Sequence, residues 1–443
     1  MFTGFASENT PAIQVWDFFR TLASISAPRS VSLMNDCAPV QLFRTGASFT
    51  NILVFLPTAP IEGKAITIVN QSYGASSQSV YIKSSDVSRD GTTNTLYTLG
   101  QGGTLTLVYT KQAITYGAGF GQYESGWIPL NQMSQTATNY AAVALGGDGN
   151  TASGSYSCTV GGAFNLASVA QASVIGGASN TASNSNATVI GGSSNTASGS
   201  SAAVIGGSSN DAISTNGVVV GGTSNNAWGS NNSAVVGGQS NRASGDNSAA
   251  LGGQGASVSS QRAVVVGGQN NTANAINAVA IGGSGGTARS IVGNFVTAAS
   301  NAPISSSTGV HQLATLLLSR ETTNATATVL ASNSSAATTT NQVILPNNSA
   351  YTFQGTCIAN VTAGGTTSGW KFEGVIKRGA NAASTTLVAA VTPTVIAQDA
   401  GAAAWVLAIT ADTTNGGIKV EVTGAAATTI RWVTKIETTE VTF

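Results

Sequence analysis

A Gly-Gly pair returns along the middle of this chain at a spacing that hardly varies. The pairs begin at Gly146, Gly161, Gly176, Gly191, Gly206, Gly221, Gly237, Gly252, Gly267 and Gly282, so eight of nine intervals are fifteen residues and one is sixteen. A flexible Gly/Ser linker has no reason to keep such a register. Other columns share the period. An aliphatic residue precedes every pair (Leu145, Val160, Ile175, Ile190, Ile205, Val220, Val236, Leu251, Val266, Ile281), and Val, Ala or Thr precedes that one. Asn follows the first glycine by four residues in eight of ten copies, among them Asn180, Asn195, Asn210, Asn225 and Asn241; Ala follows by six in nine of ten.

Fifteen residues are too few for a helical-pair repeat or a propeller blade, and helix formers are scarce. They suit one coil of a narrow β-solenoid, with two short strands and two tight turns. Stacked coils would align like residues in ladders. The glycines supply a corner with φ > 0. Asn tolerates the left-handed region and can bond to Asn in adjacent coils. The invariant aliphatic residue and the Ala are expected to fill a thin interior. At about 4.8 Å per coil, ten coils make a rod roughly 48 Å long.

Adjacent strand residues face opposite sides, so one of the two residues before Gly-Gly must face outward. With the aliphatic column inside, the Val/Ala/Thr column would leave an apolar stripe of about a few hundred Å², more than a monomer usually exposes. Burial against other copies around a closed axis is the economical answer. On this reading Ile175, Ile190, Ile205, Val220, Val236, Val266 and Ile281 build the core of the roll and of its homo-oligomer.

The phrase Val/Ile-Gly-Gly-x-x-Asn-x-Ala-Ser resembles the head repeat of trimeric autotransporter adhesins, especially the variants of bacterial surface proteins and bacteriophage fibres. The likeness covers about 137–291. It implies a left-handed parallel β-roll, a tight homotrimer, an adhesive or spacer role, and no catalytic residues. The family's period is a residue or so shorter, which bears on the turns and not on the stacking.

The flanks divide the chain further. Residues 1–30 read as an attachment segment, in which Ala12 to Ala27 is expected to form a short amphipathic helix, with Trp16, Phe18 and Phe19 as candidates for contact with the virion. Residues 31–135 alternate in short runs (NILVFLP, KAITIVNQ, SVYIKSS, GTLTLVYT, GWIPLN), as a β-rich basal domain would. The repeat shaft spans 136–292 and a linker 293–312. Residues 313–443 carry about seven strand signals and a TNGG hairpin signal, predicting a jelly-roll-like β-sandwich tip in which Trp370, Trp405 and Trp432 are core. The expected fold class is therefore all-β: basal β-domain with a short helix, β-roll and sandwich. The basal and tip patterns resemble modules of phage fibres.

Charge excludes other classes. Seventeen basic and seventeen acidic residues cancel, and charged residues are 8 % of the chain. No electrostatic footprint for nucleic acid or anionic membrane exists. No secretory signal or apolar stretch of spanning length is visible, and the closing segment before Phe443 does not read as a membrane-barrel anchor, so no membrane insertion is expected. Three scattered cysteines make no disulfide or metal framework, and Cys158 reads as a small core residue.

Asp148, Asp211 and Asp246 fall in different coils and columns of the roll, and His311 is the single histidine. Tip acids Glu321, Glu373, Asp399, Asp412, Glu421, Glu437 and Glu440 show no motif spacing, although a pair formed across subunits stays open. GAGFGQ (117–122) reads as a turn. No catalytic, metal or cofactor residues are assigned. Trp228, in the sixteen-residue coil, is either a tolerated bulge or an exposed aromatic that stacks on a sugar. Glycan contacts are otherwise expected from tip loops 362–369 or 397–403.

The expectation is a homotrimeric phage fibre, made in the host cytoplasm and assembled into the virion. It would join a tail or baseplate protein through its N-terminus and a host glycan or protein through its distal end. Rival readings are a capsid-decorating fibre, the passenger of a bacterial trimeric adhesin and a polysaccharide-degrading tailspike. An ice-binding array is too irregular, since Leu166, Asp211 and Arg242 interrupt the Thr column.

Overall fold

The computed structural model describes residues 141–300, 303–305, 307–362 and 365–443, with strands and a few adjoining residues between 13 and 139. Its described regular structure is β, apart from 3-10 turns such as Ala382–Ser384 and Ala400–Ala402. A β-solenoid of about ten turns lies between residues 143 and 297. The chain divides into two compact units, residues 1–208 and 209–443.

In the first unit the early strands alternate between two sheets. Ile13–Phe18, Val40–Thr45 and Ala65–Asn70 pair in parallel in one, and Arg29–Ser32, Ile52–Phe55 and Val80–Lys83 in the other. Antiparallel strands Thr104–Thr110 and Gly126–Pro129 extend the first sheet, and Thr95–Leu99 extends the second. The expected strands therefore form.

The expected helix does not form at Ile13–Phe18, which is a strand. Ile, Val, Trp and Phe all favour strands, and the ladder to Val40–Thr45 satisfies the backbone more firmly than a short isolated helix can. Trp16 and Phe18 lie in this strand; Phe19 and the rest of that segment lie outside the described residues.

A single coil shows how the repeat closes. In Ser173–Ile175, Val174 is fully buried, Ser173 half-buried and Ile175 exposed. The chain turns at Gly176 and Gly177, with φ of 70° and 79°, and again at Ser179, with φ of 57°. Thr181–Ala182 forms the second wall, with Ala182 buried. Asn186, at φ 58°, begins the return. Four left-handed residues per coil allow so short a circuit. Each wall pairs in parallel at a fifteen-residue offset, as in Val174↔Val189 and Ala182↔Ala197, and at sixteen where the long coil intervenes, as in Val218↔Ala234.

This reverses the expected interior. The inward column is the Val/Ala/Thr one, running Ala144, Thr159, Val174, Val189 and Val204 in the first unit and resuming at Val219 in the second. Ile175, Ile190 and Ile205 are 43–47 % exposed, Val236 is 44 % exposed, and Val220, Val266 and Ile281 are half-buried. The cause is parity. A three-residue strand ending at a glycine corner has one central inward position, and its two flanking residues share the outer face.

The Asn ladder is buried throughout, from Asn180 and Asn195 to Asn210, Asn225 and Asn241. Its bonds go to backbone rather than from side chain to side chain. Asn180 Oδ1 accepts from the N–H of Asn195 at 3.0 Å, and its Nδ2 donates to the carbonyls of Gly176 and Gly192. The left-handed residue is the one before each of these Asn, Ser179 before Asn180 and Ser194 before Asn195 among them, and the Asn side chain is left to staple two coils. Asn180→Ala would strand the Asn195 N–H and the Gly176 carbonyl in a buried corner, while the Gly192 carbonyl keeps its bond from the Ala178 N–H. A loss of ~3 kcal/mol is expected, read as a lower urea midpoint.

In the second unit the coil sheet runs on without a break. Phe295–Ala298 pairs in parallel with Val279–Ile281 and antiparallel with His311–Thr322. Part of the expected linker is thus a strand. A buried polar node ties the junction: Arg289 Nε meets Glu440 Oε2 at 2.8 Å, Gln312 Nε2 donates to the same oxygen at 2.8 Å, and Arg289 also donates to the Gly309 carbonyl.

Beyond the junction, two sheets pack face to face. The larger carries His311–Thr322, Ile430–Thr442, Ser349–Val361 and Thr367–Arg378 in that order, then Thr394–Gln398. The smaller centres on Gly417–Thr423, flanked by Val406–Asp412 on one edge and by Thr328–Val329 and Val343–Ile344 on the other. Trp432 lies between Trp370 and Trp405, each with ring centres 5.7 Å away, and its indole N–H donates to Thr322 Oγ1. The TNGG segment joins the expected hairpin. There Asp412 accepts from the backbone N–H groups of Thr414 and Asn415. Desolvation pushes its carboxyl up, but these hydrogen bonds and that from the Asn415 side chain outweigh it and hold it below the usual value.

Candidate interaction surfaces

Each coil offers two outward faces, and they differ in chemistry. In the first unit one face stacks Leu145, Val160, Ile175, Ile190 and Ile205 in register, beside Val143, Cys158, Ser173, Thr188 and Ala203. In the second unit Val220, Val236, Leu251, Val266 and Ile281 stack in the same way beside Val218, Ala234, Ala249, Val264 and Val279. Neither column holds a charged side chain or an amide. A freely solvated face seldom keeps aliphatics 37–47 % exposed in every described coil of the first unit.

Cys158 lies on this face, half-buried rather than in the core, and burial pushes its thiol up. Cys357 is buried in the tip and pushed up to about 11, so it is protonated and unreactive at neutral pH. Cys37 lies outside the described residues.

The opposite face is polar. Asp211, Asn226 and Arg242 stack in register. Trp228, 50 % exposed, has the Arg242 guanidinium 4.9 Å from its ring centre. A cation on the indole face contributes about 0.5–1 kcal/mol at an exposed site, so the long coil's aromatic is held by its neighbour. Asp246 accepts from the N–H of Asn231. Asp148, Asp211 and Asp246 stay in separate coils, and residues 117–121 lie outside the described residues.

The outer face of the larger tip sheet is the remaining broad surface. Register pairing lays Glu437, Gln354 and Glu373 side by side across three strands. Lys435, Thr356 and Lys371 form the next column, two residues further along each strand. Thr394 joins them at the rim of an open depression of about 430 Å³. Lys435 Nζ and Gln354 Nε2 both donate to Glu437, at 3.1 Å each, and hold its carboxyl below the usual value. Leu313, Leu317, Ile358, Val375 and Val433 surround these columns, 37–59 % exposed.

The other tip acids are engaged singly. Glu321 pairs with Arg431 at 2.9 Å, Glu421 with Lys419 at 3.2 Å, and Asp399 accepts from the N–H of Thr367. The last bond brings the two predicted glycan loops together. His311 opens its strand opposite Val441.

The acidic and basic columns escaped the reading of sequence. Their trace is the pattern Lys-x-Glu in GWKFEG and TKIET, which places both charges of each strand on one face; only pairing shows that the faces coincide.

No protein-family model matches this chain, and a search of curated proteins gives no significant match.

Proposed function

We propose that this chain is a homotrimeric phage fibre with a structural and host-binding role and no catalysis. The observation that carries the reading is the charge-free aliphatic face repeated on a regular β-solenoid. A face that needs cover at every coil is answered by copies carrying the same period, because only they match it coil for coil. The shaft then supplies length and stiffness. The N-terminal part, including the strand with Trp16 and Phe18, joins a tail or baseplate protein, and the distal sandwich meets a host glycan or protein. The likeness of the repeat to phage and adhesin head repeats supports the choice of a fibre.

Light scattering on the full chain tests the assembly. The expected mass is three times that of the 44.0 kDa chain, and a monomer overturns the proposal. Ile190→Glu combined with Ile205→Glu should retain the β-type circular dichroism. It should weaken assembly roughly a thousandfold, ~4 kcal/mol, because burying unpaired carboxylates is costly. Imaging of intact particles then separates a tail fibre from one on the capsid.

Trp228 with Arg242 is a further place for receptor contact on the polar face. Unchanged host adsorption by Trp228→Ala would remove it, leaving the distal domain as the binding part.

A further inference from the structure

The outward face of the coils does not stop where the coils stop. Ile281 lies opposite Thr297, which lies opposite Leu313; Val279 lies opposite Phe295, which lies opposite Thr315. From there Leu313 leads to Thr439, Thr352 and Val375, and Thr315 leads to Glu437, Gln354 and Glu373. One face of one sheet therefore passes from the shaft of the second unit into the tip, with Phe295 and Leu313 43 % and 54 % exposed at the passage.

On this face the chemistry changes from purely apolar to charged, in an ordered way. Acid and amide occupy one column, and lysines the next. Lys435 and Glu437 pair within the chain at 3.1 Å. Lys371 and Glu373, two residues apart on the next strand but one, are exposed and make no ion pair among the described residues.

In a ring of identical copies each contact is heterologous, so one flank of a copy meets the other flank of the next. An acidic column beside a basic one, both parallel to the direction of stacking, satisfies that requirement. Two-fold pairing would also be possible for a patch of opposite charges, but it would reverse one copy, and the coil ladders would then run in opposite directions.

We infer that the outer face of the larger tip sheet is the continuation of the interface between copies of this chain, with Glu373 and Glu437 of one copy against Lys371 and Lys435 of the next. The inference rests on the trimeric reading of the shaft and extends it to the distal domain. The charges fix the rotational order of the copies and keep the tips from pairing upside down, while Leu313, Leu317 and Val433 give the contact its apolar area. Receptor contacts then fall to the outside of the tip, away from this face.

The test uses the full chain and a carbodiimide, which joins a carboxylate to an amine only where they touch. Chains linked two and three at a time are expected on a denaturing gel, and mass spectrometry should find Lys371 or Lys435 joined to Glu373 or Glu437 of another copy. The exposed double substitution Lys371→Ala with Lys435→Ala should cut those products at least tenfold. Light scattering should still report a trimer held by the shaft.

A trimer with no such cross-link, or with cross-links unchanged in the double variant, overturns this inference and leaves the trimeric shaft standing. A monomer overturns both. Saturable binding of host-surface glycan that is lost in the same variant, without cross-linking, would make this face the receptor site instead.

Discussion

Gly177→Ala is expected to disrupt the shaft, whereas Gly176→Ala next to it is expected to be tolerated at reduced stability. Both residues have positive φ, 70° at Gly176 and 79° at Gly177, so each alanine carries backbone strain of about 1–2 kcal/mol. Their surroundings differ. A Cβ on Gly176 would meet open space, whereas one on Gly177 would overlap the carbonyl oxygen of Gly192 in the next coil and the Asn180 amide. Neither can retreat, since the Gly192 backbone is held by the ladder and Asn180 is the staple between coils. Overpacking adds about 1–3 kcal/mol more, and opening the coil spacing also loosens the Asn180 bonds. The expected total is about 4 kcal/mol for Gly177→Ala against about 1–2 for Gly176→Ala. Urea unfolding followed by circular dichroism reads the difference; equal losses in the two variants would refute the assignment of the second glycine as the close-approach position.

Trp432→Ala should have a comparable effect on the tip. The indole is fully buried, stacks against Trp370, tilts against Trp405, and donates to Thr322 across the sheet. Removing it leaves a cavity that two large rings cannot collapse into, and it frees a buried hydroxyl. A loss of about 4–5 kcal/mol is expected, seen as the disappearance of a cooperative near-ultraviolet transition. Trp432→Phe keeps most of the packing and should lose about 1–2 kcal/mol. A small effect of the alanine variant would show that the sandwich is not held by this cluster.

Much of the fold is legible in the chain. The fifteen-residue period needs only that like residues stack, so the coil length, the glycine corner, the Asn position and even the sixteen-residue coil around Trp228 follow from counting. Alternation of apolar and polar residues likewise finds most tip strands. His311–Thr322 escaped because Leu313 and Leu317 are apolar on the outward face as well as Leu316 and Leu318 on the inward one. Ile13–Phe18 escaped because a short apolar segment satisfies helix and strand patterns alike, and a partner far along the chain decides between them.

What the sequence determined by itself is the period and therefore the stacking. What only the tertiary structure decided is direction. Val174 and Ile175 are both apolar, and no count along the chain says which of them points inward. The corner settles it, because the strand's central residue is enclosed by the second wall and its neighbours are turned outward. The surfaces follow from the same cause. Ile175 became an exposed residue rather than core, and Lys371, Glu373, Lys435 and Glu437 came onto one face. Facing and register are properties of paired strands, which exist only when the chain has folded.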